Sequence, residues 1–161
     1  MSSFELTTID NKTYNLNIKF KDYSKFLGGI AEESDPTDVI TGPVSIESAQ
    51  FDKIIEFYQI YERIPKYEIP RPLDYTKKFE EQIPYEMYKF VSELTLDELV
   101  PLINGCNYLN TIECLELCCA YMAVLIEGKS PEEIRQIFNI EDDLTAEDKE
   151  KIKEELSVFD I

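Results

Sequence analysis

Four thiols, thirty-three carboxylates and no histidine bound the chemistry open to this sequence. Cys106, Cys114, Cys118 and Cys119 all fall in one apolar, helix-patterned stretch. A nucleophilic cysteine needs a nearby cation or a helix N-terminus to become thiolate, and Cys118 and Cys119 stand in mid-run with neither. Adjacent residues point to different helix faces, and the cysteine spacing fits no zinc pattern. Without histidine there is no mixed site either. The usual general base, and the usual activator of serine or cysteine, is therefore missing. Carboxylates on helices form solvated faces far more often than acid/base pairs. Gly28, Gly29, Gly42, Gly105 and Gly128 are scattered, so there is no phosphate-cradling loop. The sequence thus reads as no enzyme, with no catalytic residue, metal site or cofactor, and with free thiols buried in a reducing compartment.

The 161 residues suffice for one domain, or one domain plus a small appendage. Thirty-three acidic against sixteen basic residues give a net charge of −17. Such a chain repels phosphate backbones and anionic head groups, so neither nucleic acid nor membrane is expected as a partner. No stretch near residue 1 combines a basic region with an apolar run, and no secretory signal is expected.

The elements that must carry any site follow from periodicity. Phe4, Leu6 and Thr8, a turn at Asp10-Asn11-Lys12, then Tyr14, Leu16, Ile18 and Phe20 alternate with polar residues and predict a β-hairpin with one buried face. Tyr23, Phe26, Leu27 and Ile30 predict a short helix, weakened by Gly28 and Gly29. Residues 32–41 read as a loop, 43–46 as a short strand, and Ser48 as the cap of a helix whose inner face is Phe51, Ile54, Ile55, Tyr58 and Tyr61. Pro65, Pro70 and Pro72 forbid a continuous helix, so 64–81 reads as a partly mobile connection. Further helices are expected from Ile83-Pro84 to about Glu93, from Leu96 to Gly105 behind a Thr95/Glu98 capping box, and from Ala146 to about Leu156 behind Thr145/Asp148. Strands first and helices after make an α+β arrangement.

Between Ile112 and Ile126 only Glu113 and Glu116 are charged. The run is too short to span a bilayer and holds both glutamates inside it. As a helix it is apolar nearly all round, so it must be covered on more than one side. Gly128 suits a helix stop, and Ser130, Pro131 and Glu133 open another short helix carrying Ile134, Ile137 and Phe138 on one stripe, with Ile140 just beyond. Leu115, Cys118, Met122, Leu125, Ile134, Ile137 and Phe138 exceed what so small a domain encloses, and leftover apolar surface of this kind marks a protein–protein site.

The string NYLN at 107–110, a helix ending in Gly128-Lys129, then SPEEIR-x-x-FNI, Asp-Leu-Thr and an acidic helix resemble the C-terminal half of the Skp adaptors of SCF ubiquitin ligases. The resemblance is dense over 94–155 and looser, though collinear, over 3–61. It implies a BTB/POZ-like domain over 1–127, a small sheet capped by helices, followed by a C-terminal helical extension over 128–161 that forms the partner platform. It also implies a non-catalytic adaptor bridging an F-box receptor to a cullin, working in cytoplasm and nucleus. The F-box would meet Leu115, Cys118, Met122, Leu125, Pro131, Ile134, Ile137, Phe138, Ile140 and Phe159, with Phe138 and Ile134 as anchors. The cullin would meet Asn107 and Tyr108; read without the resemblance, Asn107 is a turn or cap residue and Tyr108 a core residue.

Three departures stand out. Val158 and Phe159 replace the family's Trp-Cys pair, Ala146 stands where some protist members carry a hydroxylatable proline, and Tyr67 to Glu81 replaces an acidic loop. The competing expectation is a BTB-type structural protein in which the apolar helices seal a homodimer when no F-box partner is present.

Overall fold

A computed structural model describes residues 3–35 and 39–158. It contains three strands, β1 (Ser3–Thr8), β2 (Thr13–Asn17) and β3 (Val39–Val44), and seven α-helices: α1 (Lys25–Glu32), α2 (Ser48–Tyr61), α3 (Tyr85–Ser92), α4 (Leu96–Leu109), α5 (Ile112–Ile126), α6 (Pro131–Phe138) and α7 (Ala146–Ser157). The sheet order is β2-β1-β3. β1 pairs antiparallel with β2, Phe4 opposite Leu16, and parallel with β3, Phe4 opposite Ile40. This is an α+β fold of the BTB/POZ-like kind, a small mixed sheet capped by helices with a helical C-terminal segment.

Period two holds through the first hairpin. Phe4, Leu6 and Thr8 are buried, and Asn11 turns the chain with a φ of 62°. The alternation stops at Asn17, earlier than the sequence suggests. The Asn17 side chain accepts the Lys19 N–H and starts a 3-10 turn over Ile18–Asp22, which still delivers Phe20 to the core. The third strand lies earlier than residues 43–46: it begins at Val39, because its partner β1 is parallel and distant in sequence and no local pattern marks it.

Helix α2 is capped from far away. Ser48 is its first residue, and the Asp10 carboxylate of the hairpin turn accepts the Ser48 N–H at 3.0 Å and the Ser48 hydroxyl at 2.5 Å. Thr8 also donates to Asp10, at 2.6 Å. These donors, Ser48's hydroxyl foremost, hold the Asp10 carboxyl down at a pKa of about 2. Phe51, Ile54, Phe57 and Tyr58 of α2 are buried, so Phe57 belongs to the inner face as well, while Ile55 is half-buried. α2 packs on α3 and α4, and α1 on α4.

The chain divides into two compact units, Met1–Leu125 and Ile126–Ile161. The first holds one apolar core, with Phe4, Leu6, Ile40 and Val44 from the sheet, Leu27 from α1, Met87 and Val91 from α3, Leu99, Leu102 and Leu109 from α4, and Leu117 from α5. The proline-bearing connection is not a bare tether. Tyr67, Ile69 and Leu73 pack against that core and Phe79 is buried in it. The Gln82 side chain clips it, donating to the carbonyls of Asp74 and Lys77 and accepting the Asp74 N–H. The second unit holds α6 and α7, neither of which has a fully buried residue. Among the described residues no helix is long and apolar enough to cross a membrane.

Candidate functional site

The residues expected to meet partners lie on two surfaces of the first unit and one of the second. α4 runs past Gly105, its expected end, to Leu109, because Asn110 closes it in the left-handed conformation at φ 53°. Asn107 and Tyr108 therefore sit in its last turn. Asn107 is exposed, and Tyr108 is half-buried with its ring 5.2 Å from that of Phe26. The helix end is pinned by Ser24, a fully buried residue at the N-cap of α1. Its hydroxyl donates to the Leu109 carbonyl at 2.6 Å and accepts the Leu27 N–H at 3.1 Å. Next to Tyr108 a small hollow of about 240 Å³ is bordered by Ile9, Ile46 and Asn104.

On α5 the apolar residues divide. Cys114, Leu117 and Cys118 are fully buried, whereas Leu115, Met122 and Leu125 remain half-buried. Cys118 thus fills the core of its own unit instead of the partner-facing strip expected for it. The helix turns 100° per residue, and the side that carries Leu117 also carries Cys118. Burial raises the Cys114 thiol pKa, with hydrogen bonding to Cys106 and Cys118 adding to it. Partial burial likewise raises that of Cys119, the exposed thiol. Neither is activated as a thiolate. Among the described residues no group of three His, Cys, Asp or Glu side chains is placed to hold a metal.

In the second unit α6 starts where the sequence says it should. The Ser130 hydroxyl accepts the Glu133 N–H at 3.2 Å, the Glu133 carboxylate accepts the Ser130 N–H at 2.7 Å, and Pro131 fills the first helical position. Gly128, at φ 67°, takes the left-handed turn between α5 and this cap. Ile134, Ile137 and Phe138 are half-buried, and Pro131 and Ile140 exposed. The far end is closed by a polar residue that apolar periodicity does not mark. Asn139 adopts φ 50°, and the Ile140 N–H returns to the Arg135 carbonyl at 2.8 Å. An asparagine directly after the last apolar residue of the stripe was the available signal. Asp142 then joins the two helices, accepting Lys149 Nζ at 2.7 Å with an Arg135 nitrogen at 3.6 Å. Those cations, Lys149 first, hold its carboxyl below the ordinary range. α7 opens with Thr145 and Asp148 in a reciprocal cap and leaves Ile152, Leu156 and Val158 exposed. Phe159 lies outside the described residues.

A small mixed sheet capped by helices, with a helical C-terminal segment, defines a BTB/POZ-like fold. A family model described as the Skp1 family, dimerisation domain, matches residues 114–158. Over 151 residues the chain is 30% identical to the S-phase kinase-associated protein 1 homolog of Tetrahymena thermophila, covering 94% of this chain and 90% of that protein. It is 29% identical over 160 residues to the SCF ubiquitin ligase complex protein SKP1b of Dictyostelium discoideum, covering 96% and 94%. It is 32% identical over 125 residues to SKP1-like protein 18 of Arabidopsis thaliana, covering 78% and 72%. The chain belongs to the Skp1 family.

Proposed function

We propose that this chain is a non-catalytic adaptor of an SCF-type ubiquitin ligase, joining an F-box receptor to a cullin scaffold in cytoplasm and nucleus. The observation that carries the reading is α6, a two-turn helix capped at both ends whose Ile134, Ile137 and Phe138 are left half-buried. Family membership supports it, as does the name of the Dictyostelium relative, an SCF ubiquitin ligase complex protein. In the first unit Leu115, Met122 and Leu125 on α5 are F-box contacts; in the second unit Pro131, Ile134, Ile137, Phe138 and Ile140 on and beside α6 are F-box contacts. Aromatic and aliphatic anchors of this kind carry most of an interface's energy. Asn107 and Tyr108 at the end of α4 receive the cullin.

Full burial of one large apolar side chain is worth about 1.5–3 kcal/mol. Ile134→Ala with Phe138→Ala therefore weakens F-box binding by roughly a hundredfold or more. Asn107→Ala with Tyr108→Ala weakens cullin binding and spares the F-box partner. Undiminished F-box binding by the first pair, read by calorimetry, would refute the site; equal loss of both partners in the second pair would signify misfolding.

The description of the matched family model as a dimerisation domain favours a second reading, in which the same helices seal a homodimer when no F-box protein is present. Sedimentation of the purified chain across salt concentrations separates the two. A tight, salt-insensitive dimer that an F-box peptide leaves intact supports the homodimer and opposes the adaptor.

A further inference from the structure

The connection between α2 and α3 runs beside the start of α5, and the two enclose a cleft of about 660 Å³. Tyr61 comes to it from the end of α2, Tyr67 and Arg71 from the connection, and Glu113 and Glu116 from the first two turns of α5. The tyrosine rings meet at 64° with centroids 6.2 Å apart. Neither hydroxyl has a hydrogen-bond partner among the described residues. Glu113 accepts the Tyr58 hydroxyl on Oε2 at 2.9 Å, which leaves Oε1 for another donor. The Tyr61 pKa is raised by burial and then by the negative charge of Glu113 and Glu116, so both carboxylates act at that ring.

Arg71 already shows what the cleft accepts. Its guanidinium pairs with Glu116, yet the Arg71 side chain is 70% exposed and that of Glu116 39%. An ion pair this exposed contributes little, so exchange of the internal guanidinium for an external one is nearly neutral. With Glu68 also on the wall, three carboxylates face one cation.

The geometry points to a recognition site in this cleft for an arginine or lysine side chain carried by a basic segment of a partner polypeptide. The cationic head lies between Glu113 and Glu116, and the aliphatic stem lies against the faces of Tyr61 and Tyr67, where its methylenes are covered. A net charge of −17 draws basic segments toward the chain from any direction, and the cleft gives one of them a place to stop. The site shares no residue with the surfaces assigned above to the F-box and the cullin, so it stands or falls apart from that reading.

The test is a heteronuclear NMR titration of the full chain with an acetylated, amidated Gly-Arg-Arg-Gly peptide, with the citrulline analogue as neutral control. The arginine peptide gives saturable shifts concentrated at Tyr61, Tyr67, Glu113 and Glu116, and the citrulline peptide gives none. Glu113→Gln with Glu116→Gln weakens binding about tenfold, as expected for two charge-assisted contacts. Glu113→Gln keeps an acceptor for Tyr58, so the melting transition is retained. Should the double variant lose that transition, Glu116→Gln alone, on the exposed rim, carries the test with about a threefold loss. Arg71→Ala, which removes the internal competitor, binds at least as tightly as the unaltered chain. Shifts spread over the acidic surface without saturation, equal response to citrulline, unchanged affinity in the glutamate variants, or weaker binding by Arg71→Ala would each overturn the site.

Discussion

Replacing Ser24 with alanine strikes the junction that holds the proposed cullin-facing end of α4. Two hydrogen bonds vanish together, the N-cap to the Leu27 N–H and the donation to the Leu109 carbonyl. Loss of an N-cap costs about 1 kcal/mol. Leaving a buried carbonyl without its donor costs about 1–3 kcal/mol more. Ser24 is fully enclosed, so water cannot enter to replace the hydroxyl without moving α1 away from α4. The sum is about 3 kcal/mol, which for a chain of this size lowers the melting temperature by roughly 6–12 °C. Circular dichroism melts of the two proteins at equal concentration measure it. The Lys25 N–H to Asn110 carbonyl bond, at 3.3 Å, and the Phe26–Tyr108 ring contact depend on the same junction. Ser24→Ala should therefore also weaken cullin binding more than F-box binding. A melt displaced by less than about 2 °C would mean that the Leu109 carbonyl and the Leu27 N–H do not depend on the Ser24 hydroxyl, and would refute the junction.

The Asp10 carboxyl, held at about 2 against an ordinary value of 3.8, has a depressed folded-state pKa. Its stabilisation is present above the ordinary value and lost as pH falls toward 2, so Asp10→Asn flattens the acid limb of a melting-temperature profile in that window; an unchanged limb contradicts the cap. Under native conditions a thiol reagent labels Cys119 quickly and Cys106, Cys114 and Cys118 slowly, and Cys119→Ser abolishes the fast phase; a second fast thiol counts against the burial described. In hydrogen exchange of the isolated chain, α7, which has no buried residue, exchanges ahead of β1 and α2; equal protection contradicts that order.

How much of this was legible in the sequence depended on how far each signal reached. Helix starts encoded within three residues were placed correctly at Thr95, Ser130 and Thr145, because a capping box is a contact between near neighbours. Local spacing points to the Ser48 side chain as the cap of α2, whereas the acceptor is Asp10, thirty-eight residues away. Gly42 and Pro43 interrupt β3 and its ladder partner is β1, so local periodicity marks only its end. The stripe through Ile54 and Tyr58 accounts for one inner face of α2 and does not mark Phe57, which is buried as well. That helix has neighbours in α3 and α4 as well, so its buried arc is wider than one stripe. Among the partner-facing residues, periodicity picked out Ile134, Ile137 and Phe138, but on the all-apolar α5 it had no contrast with which to tell Cys118 from Leu115. The tyrosine- and glutamate-lined cleft left no trace in the sequence, since it joins residues 61 to 71 with 113 and 116 only after the connection has folded back.

The reciprocal caps at Ser130 and Thr145 bear on the order in which the molecule assembles. Each fixes a helix boundary through groups three residues apart, so α6 and α7 can form on the sub-microsecond scale of short helices without waiting for any distant segment. The sheet, by contrast, needs Val39–Val44 to find Ser3–Thr8 across some thirty residues, a slower search. During synthesis the amino-terminal unit has time for that search before the later helices leave the ribosome, and those helices, short and without a buried residue, gain most of their stability only when their apolar faces are covered.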